Sequence, residues 1–425
     1  MKRSFPWFFA TQFAGAFNDN VFKNILVLGF TYGHFSMLGL KPLMLVSLAQ
    51  AFFILPFFLF SALAGQLADR YSKTLLVRRV KELEILIMGL ASLGFVLNST
   101  PVLMGTLFLM GTQSAFFGPA KYSMLPELVR EKELASANAW VELGTFAAIL
   151  LGTLVGGYLG GEAPRAYLFS LWIIGLACLG VLVSRGIHVL PARAPQLRIT
   201  LNPIAPVMQS WRSMRGDMQL CVAMLGVSWF WFYGLAILTL LPTLCTQVFR
   251  VASKVSTLAL ALFCFGIGAG SWLGAWIFRQ PKAALWMKVA VLGLALFTLH
   301  LAWLVSAWPT PALEADFLEL ALFLRLPMAW QVCLSWLMIA FCGGAFVVPL
   351  YTQMQHRAEV SMRSRIIASN NILNALAMVI AALMIMLFHR WHVSFTNILI
   401  CIAASSVIVL LMLLKVVGNG AKQRA

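Results

Sequence analysis

Long apolar runs follow one another along almost the whole chain. A helix needs roughly 20 apolar residues to cross the hydrocarbon core of a bilayer, and breaking the runs at charged residues, Pro and Gly predicts twelve spans. Only 11% of the residues are charged, against about 25% in soluble proteins. The sequence therefore predicts an all-α polytopic membrane protein, with spans near residues 6–35, 43–67, 76–98, 102–122, 134–160, 166–187, 217–248, 254–279, 283–307, 329–351, 365–389 and 394–415.

The basic residues are distributed unevenly between the two predicted sides of the membrane. With both termini placed in the cytoplasm, most of the 31 Lys and Arg residues lie at cytoplasmic helix ends or in cytoplasmic loops, as the positive-inside rule requires. We therefore attribute the net charge of +17 to topology and expect no nucleic-acid partner. The seven Cys residues are scattered singly through apolar runs, so we expect no disulfide, no metal site and no cofactor.

An internal repeat divides the chain into two halves of six spans. Pro119 near the end of the fourth span corresponds to Pro349 near the end of the tenth, and a similar basic loop follows each of them. Six-plus-six repetition is how many secondary transporters are built, with the substrate site at the midplane between the halves. We expect an N-terminal bundle over residues 1–187, a cytoplasmic linker over 188–216 and a C-terminal bundle over 217–425.

Two connecting segments are predicted to lie on the membrane surface. From Pro203 onward the linker spaces its apolar residues like an amphipathic helix, although a solvated basic linker explains the pattern equally well. Residues 311–327 are acidic and then apolar, but they are too short to span. They predict an interfacial helix on the periplasmic side.

The middle of the first predicted span is polar. Asn18, Asp19, Asn20, Lys23 and Asn24 lie between apolar flanks, and Asp19 is about 18 Å from either end of a helix that rises about 1.5 Å per residue. An unpaired charge at that depth costs at least about 2.5–3.5 kcal/mol. These residues therefore predict a substrate or ion site, possible partners of Asp19 being a proton, Lys23 or a cation such as Na⁺. The alternative is a pair that only fixes helix packing.

Other predicted spans contribute fewer polar residues. We expect Asp19 and Glu142 to be the two acids inside spans, because the other acids lie at predicted span ends or in loops. Glu142 would then complete a polar centre with Asp19 and Lys23, or serve as a structural acceptor. Further candidate binding residues are Gln113, Trp231, Asn370 and Asn374. Trp231 belongs to an aromatic run that would line an acyl-chain path or simply pack.

Glycines recur along one side of the fifth span. The spacing predicts close packing against another helix rather than a ligand site, through Gly144, Gly152, Gly156, Gly157, Gly160 and Gly161.

The loop after the second span carries the motif Gly65-Gln-Leu-Ala-Asp69-Arg70-Tyr-Ser-Lys73. It resembles the GxLaDrxGrk loop of the major facilitator superfamily, with Ser72 in place of a Gly. We expect Gly65, Asp69, Arg70 and Lys73 to act as a conformational latch, in which Asp69 caps the next helix or pairs with an arginine in one state and releases it in the other.

Several blocks in the first half are more specific. They are Ala16-Phe-Asn-Asp19-Asn20, Phe117-Gly-Pro119-Ala-Lys121-Tyr122, Leu125-Pro-Glu127-Leu and Ala137-Asn138-Ala-Trp-Val-Glu142. Over roughly residues 8–160 they resemble the bacterial lysophospholipid transporter family. This resemblance implies a flippase that moves lysophosphatidylethanolamine and related lysolipids across the inner membrane. It also implies a cytoplasmic acyltransferase and acyl-carrier-protein synthetase as a partner that reacylates them.

Two other functions are compatible with parts of the sequence. An exporter of a siderophore, a drug or another amphipathic small molecule would share the same fold. The fourth span lacks the intramembrane Arg common in proton-coupled drug exporters, which disfavours that alternative. A membrane-embedded acyltransferase is disfavoured by the lack of an HxxxxD pattern. We therefore expect a transporter and not an enzyme.

Overall fold

The computed structural model of the chain describes residues 3–31, 34–37, 39–40, 42–160, 166–202, 208, 216–309 and 317–422. Within these ranges the chain is built from long α-helices. They are α1 Phe5–Thr31, α2 Pro42–Arg70, α3 Lys73–Val96, α4 Thr100–Leu128, α5 Leu134–Leu159, α6 Ala166–Ser184, α7 Met218–Thr243, α8 Ser253–Phe278, α9 Ala283–Ala307, α10 Pro327–Arg357, α11 Arg363–Arg390, α12 Phe395–Ala404 and α13 Ser406–Lys422.

Nine helices in the described ranges are long and apolar enough to cross a membrane, with α12 and α13 together forming one of them. The predicted α-helical membrane fold is confirmed, while the count of twelve spans stays a prediction. The long helices outside the nine are α1, α3 and α4. Their polar residues lower their hydropathy, and the same residues build the candidate site below.

The fourth and tenth helices run further than predicted. We expected ends near residues 122 and 351, but α4 continues to Leu128 and α10 to Arg357, with Pro119, Pro126 and Pro349 inside the helices. In a membrane bundle, neighbouring helices and side chains can satisfy the backbone groups that a proline leaves free. Proline therefore marks the span ends less sharply here than in a soluble helix.

The chain forms two compact units. Unit 1 contains Met1–Ala137, Gly144–Gly216 and Gln355–Ala375, and unit 2 contains Asn138–Leu143, Asp217–Met354 and Leu376–Ala425. The predicted bundle boundaries at residues 187 and 217 stay a prediction.

Aromatic contacts organise the core of unit 1. The ring of Phe95 on α3 lies 5.7 Å from that of Phe22 on α1 and 5.1 Å from that of Phe169 on α6. Since all three side chains are buried, these contacts join α1, α3 and α6 around one apolar centre.

Unit 2 has its own core, which contains a polar contact. The Tyr233 hydroxyl on α7 lies 2.5 Å from the Thr298 hydroxyl on α9. The last predicted span, 394–415, is divided at Ser405, whose hydroxyl accepts a hydrogen bond of 3.0 Å from Trp229 Nε1. Thus a side-chain contact accompanies the break between α12 and α13.

The fifth helix packs closely against α1 through its glycines. A Cβ at Gly152 would lie 2.8 Å from the Phe17 carbonyl oxygen, and one at Gly156 would lie 2.7 Å from that of Val21. A Cβ at Gly144 would meet the side chains of Phe9 and Gln12 of α1, and one at Gly160 would lie 3.2 Å from Ile25 Cα. The predicted close packing is therefore confirmed at these positions, while Gly161 lies outside the described residues.

The structure tests only one of the two predicted surface helices. Most of the linker from Pro203 to 215 lies outside the described residues, so its amphipathic helix stays a prediction. Of residues 311–327, the described part contains a helix only at Leu320–Phe323. Leu318 instead forms a parallel bridge with Val251, and a chain held in that pairing cannot continue as a long interfacial helix.

Candidate functional site

A buried network in unit 1 is centred on the carboxylate of Glu84 in α3. Lys81 Nζ donates to Glu84 Oε2 at 2.5 Å, and Gln113 Nε2 of α4 donates to the same oxygen at 2.8 Å. Asn18 Nδ2 of α1 donates to Glu84 Oε1 at 2.9 Å and to the Ile173 carbonyl of α6 at 3.2 Å. Side chains of three helices, α1, α3 and α4, therefore meet at one carboxylate, and Asn18 links this network to α6.

Glycines on two helices make room for the lysine of this network. A Cβ at Gly15 of α1 would collide with Lys81 Nζ, and one at Gly180 of α6 would lie 3.4 Å from Lys81 Cδ. The ammonium lies 5.5 Å from the centre of the Phe117 ring, within reach of a cation–π attraction. Lys81 and Glu84 are each 1% exposed, so the pair is removed from water.

Glu84 corrects the expectation that only Asp19 and Glu142 are acids inside spans. Glu84 follows the charged start of the predicted third span, 76–98, which contains Arg78, Arg79 and Glu82. The sequence did carry a signal, since buried residues recur at helical spacing through Val77, Val80, Lys81, Glu84, Ile87, Met88 and Ala91. Lys81 and Glu84 lie on this inward face.

Asp19 lies next to the Glu84 network but bonds to a different residue. Its Oδ2 accepts a hydrogen bond of 2.9 Å from the Ser114 hydroxyl of α4, whereas Oδ1 is buried without a hydrogen-bond partner among the described residues. Lys23 Nζ lies 4.4 Å from the centre of the Phe53 ring of α2. No ion pair within 4.0 Å joins Asp19 to Lys23, so the lysine does not neutralise the carboxylate by direct contact.

The two asparagines that follow Asp19 bond to backbone carbonyls. Asn20 Nδ2 donates to the Ala16 carbonyl of its own helix at 2.7 Å, and Asn24 Nδ2 donates to the Thr153 carbonyl of α5 at 2.6 Å. The Asn20 amide therefore bonds within α1, and the Asn24 amide holds α1 against α5.

A second buried cation lies nearby in unit 1. Lys121 Nζ donates to the Thr145 hydroxyl at 3.1 Å, and this hydroxyl donates to Gln12 Oε1 at 3.2 Å. These two hydrogen bonds connect α4, α5 and α1. Lys121 and Gln12 are buried, and neither was among the predicted site residues.

The remaining predicted site residues lie on other helices. Glu142 of α5 and Asn370 and Asn374 of α11 are buried. Trp231 of α7 is partly buried, and its Nε1 donates to the Tyr351 hydroxyl of α10 at 2.9 Å. Their assignment as binding residues stays a prediction.

The loop motif holds the N-terminus of α11. Asp69 accepts hydrogen bonds from the backbone N–H of Ser364 at 3.0 Å and from that of Arg365 at 3.3 Å, and Arg365 Nε donates to it at 3.1 Å. A Cβ at Gly65 would lie 2.6 Å from that of Ala368, so only glycine allows this approach. The next helix is capped by Ser72 rather than by Asp69.

The other two latch residues have separate contacts. Lys73 is buried and donates to Glu127 Oε1 at 2.6 Å. Glu127 Oε2 accepts two hydrogen bonds from Arg193 of the linker, at 2.7 and 3.0 Å. The Arg70 guanidinium lies 5.4 Å from the ring centre of Tyr71.

Residues 188–202 of the linker are described and form no regular helix or strand, with a turn in which Leu197 N donates to the Ala194 carbonyl at 3.0 Å. We call residues 188–200 the linker strap. Thr200 N donates to Gln66 Oε1 at 2.9 Å, and Gln66 Nε2 donates back to the Thr200 carbonyl at 3.0 Å. Ala194 N donates to the Asp69 carbonyl at 2.8 Å. The strap is thus tied to the same residue whose carboxylate holds α11.

Comparison with known proteins decides the family. Residues 8–382 match the family described as the Major Facilitator Superfamily. The chain belongs to the major facilitator superfamily. It is therefore a multi-pass membrane transporter, and the predicted superfamily is confirmed.

Individual curated relatives are similar to this chain within a narrower group of transporters. The chain is 27% identical over 356 residues to the lysophospholipid transporter LplT of Enterobacter sp. strain 638, covering 82% of this chain and 79% of the relative. LplT of Escherichia coli strain K12 / DH10B is also 27% identical over 356 residues, covering 83% and 80%. The predicted resemblance to lysophospholipid transporters is confirmed as a similarity.

Solved structures agree with the fold. The human organic anion transporter MFSD10 superposes with a TM-score of 0.73 at 14% identity, over 97% of this chain and 99% of that one. The Escherichia coli fucose:proton symporter FucP gives a TM-score of 0.69 at 10% identity, over 96% and 97%. At such identities the likeness establishes the fold alone.

Proposed function

We propose that this major facilitator protein moves lysophospholipids, such as lysophosphatidylethanolamine, across a bacterial inner membrane by alternating access. The printed name of the curated relatives supports this substrate class. The sequence blocks around Asp19, Pro119 and Glu142 support it further. Both termini lie in the cytoplasm in this proposal, on the side where a cytoplasmic acyltransferase and acyl-carrier-protein synthetase would reacylate the lysolipid.

The observation that carries the proposal is the polar centre of α1. Asp19 lies about 18 to 21 Å from the ends of this helix, and one of its carboxylate oxygens is buried without a partner among the described residues. A lysolipid combines a polar headgroup with one acyl chain, so its carrier needs polar groups inside an apolar bundle. We assign Asn18, Asp19, Asn20 and Gln113 to the polar part of that path.

The acyl chain needs an apolar surface. We propose that Trp231 of α7 contributes to it, because its indole is partly buried and oriented by the Tyr351 hydroxyl. Glu142, Asn370 and Asn374 are the further polar positions of this proposal, all of them buried.

Transport is coupled, in this proposal, to a cation or proton held at Asp19. A carboxylate at midplane depth persists only when it is neutralised. Lys23 lies against Phe53 instead of forming an ion pair with Asp19, which favours a bound Na⁺ or H⁺ over a fixed partner. The residues that would hold the cation are oxygen donors, as Na⁺ prefers: Asp19 with Asn18 and Asn20.

Substrate class is tested by uptake of labelled lysophosphatidylethanolamine into spheroplasts that express the protein. Efflux of siderophores and of cationic dyes is measured in the same cells. We expect lysolipid uptake above that of cells with empty vector, and no efflux. Efflux without lysolipid uptake would replace this proposal with an exporter of amphipathic small molecules.

The role of Asp19 is tested with three variants, Asp19→Asn, Lys23→Met and the double variant. We expect Asp19→Asn to abolish lysolipid uptake while the protein stays folded in the membrane, and the double variant to stay inactive. Uptake and thermal stability in detergent are measured for each. Recovered uptake in the double variant would make the two residues a structural pair and refute Asp19 as the coupling residue.

A further inference from the structure

Arg363, the first residue of α11, is a buried arginine. The residue is only 8% exposed, and its Nε is a buried donor for which the described residues offer no hydrogen-bond acceptor. Among the described residues none forms a hydrogen bond or an ion pair with this guanidinium. An arginine carries five donors and a permanent charge and is rarely buried unpaired, so an anion bound here would satisfy a donor that the described residues leave without an acceptor.

The acids near Arg363 are already occupied by other groups. Asp69 accepts from the backbone and side chain of Arg365 and from Ser364 N, and Glu127 accepts from Lys73 and Arg193. Both carboxylates attract the charge of Arg363, and Arg193 repels it. Among the described residues, this cluster therefore contains four cationic side chains and two carboxylates, an excess of two positive charges: Lys73, Arg193, Arg363 and Arg365 against Asp69 and Glu127.

The position of this cluster adds to the positive potential. Arg363 begins a helix of 28 residues, and a helix N-terminus carries roughly half a positive charge. The amide groups of Ser364 and Arg365 already donate to Asp69, so a ligand would bind to the guanidinium rather than to these amides. The cluster reaches solvent at Arg193, whose side chain is 35% exposed.

We propose that Arg363, together with the neighbouring Arg193, forms a binding site for a phosphate group at this end of α11. Phosphate carries one to two negative charges near neutral pH, which matches the excess of two positive charges. Its oxygens accept the two parallel hydrogen bonds that a guanidinium donates. The phosphate belongs either to an anionic phospholipid in the adjacent leaflet or to free inorganic phosphate, and the experiment distinguishes the two.

The first arm measures binding of radiolabelled inorganic phosphate to the purified full-length protein by equilibrium dialysis at constant ionic strength. The second arm measures retention of phosphatidylglycerol by the protein, purified from nanodiscs of phosphatidylcholine with and without phosphatidylglycerol. Both arms use wild type, Arg363→Gln and Arg79→Gln. Arg79 is the matched control because its side chain is 81% exposed and pairs with Glu82 on α3.

We expect saturable binding in one arm, weakened about tenfold or more by Arg363→Gln, as the loss of a charged hydrogen-bond donor predicts, and unchanged by Arg79→Gln. Binding in the dialysis arm identifies free phosphate, and binding only in the nanodisc arm identifies a lipid headgroup. If Arg363→Gln does not fold, Arg363→Lys is used instead. It retains the positive charge but lacks the planar guanidinium, so we expect an intermediate loss of binding. No saturable binding in either arm, or equal weakening by Arg363→Gln and Arg79→Gln, overturns the site. None of these readouts depends on lysolipid transport.

Discussion

Single side chains in unit 1 differ in how their charge is accommodated. Glu84 receives hydrogen bonds from Lys81, Asn18 and Gln113. Asp19 receives one from Ser114 and has a second oxygen without a partner among the described residues. A fully bonded carboxylate fixes the helices around it, whereas an incompletely bonded one remains available to a ligand. We therefore interpret Glu84 as a structural acid and propose Asp19 as the acid that binds a ligand.

The Lys81–Glu84 pair is predicted to stabilise the bundle only as a pair. Lys81→Met or Glu84→Gln alone leaves one buried charge uncompensated, and each should lower stability by about 3–5 kcal/mol. The double variant Lys81→Met/Glu84→Gln should recover most of this loss. Thermal unfolding in detergent measures all three variants.

The exposed pair Arg79–Glu82 has the same spacing on the same helix and serves as the control. Replacing it by Gln residues should change stability little, because water screens exposed ion pairs. If the two single variants in the buried pair are also harmless, Glu84 does not organise the helices around it.

At the scale of whole helices, glycine determines how α1 is held. Gly152 and Gly156 place the α5 backbone against that of α1, and Asn24 adds a hydrogen bond to the Thr153 carbonyl. The helix that carries the candidate site is thus fixed by backbone proximity as well as by side chains. Its polar residues keep their positions only while this contact persists.

We predict that Gly156→Ala lowers stability by about 1–3 kcal/mol, as overpacking does in a close-packed core. The new Cβ would lie 2.7 Å from the Val21 carbonyl oxygen, so α1 and α5 must separate. Gly105→Ala on α4 is the matched control, because a Cβ there meets no atom within 4 Å and alanine favours helix by about 1 kcal/mol. Thermal unfolding compares the two. Equal effects would mean that α1 and α5 tolerate separation.

At the scale of the molecule, the loop motif connects distant parts of the chain. The carboxylate of Asp69 holds the start of α11, while its carbonyl holds the linker strap. Glu127 joins Lys73 to Arg193 of the same strap. A change that releases α11 would therefore also disturb the strap, and the latch we predict from the motif has these contacts available to break.

We predict that Asp69→Asn slows lysolipid transport more than it weakens lysolipid binding. Asn can still accept hydrogen bonds from the α11 amides, but it loses the charge that attracts Arg365, so it changes the relative stability of conformations without contacting substrate. Uptake into spheroplasts and binding to purified protein are measured together. Asp217→Asn is a control, because Asp217 also caps a helix, accepting from Gln219 N and Leu220 N. Equal losses of binding and transport in Asp69→Asn would contradict the latch.

Much of the helical architecture was predictable from the sequence alone. Apolar runs of bilayer length predict long helices because hydropathy and helical period are local properties of the chain. The loop motif at Gly65 to Lys73 and the glycine face of α5 were predictable for the same reason. The polar residues of α1 were also recognisable, since charges inside an apolar run stand out without knowledge of any neighbour.

The choice of partners was decided by the tertiary structure. Asp69 pairs with Arg365, 296 positions away, and Glu84 bonds to Asn18 and Gln113 on other helices. Lys23 is four residues from Asp19, yet its ammonium lies against Phe53 of α2. Local spacing indicates which side chains of one helix can meet. The packing of the helices decides which contacts form, because a buried polar group bonds to the donor or acceptor that the neighbouring helix presents.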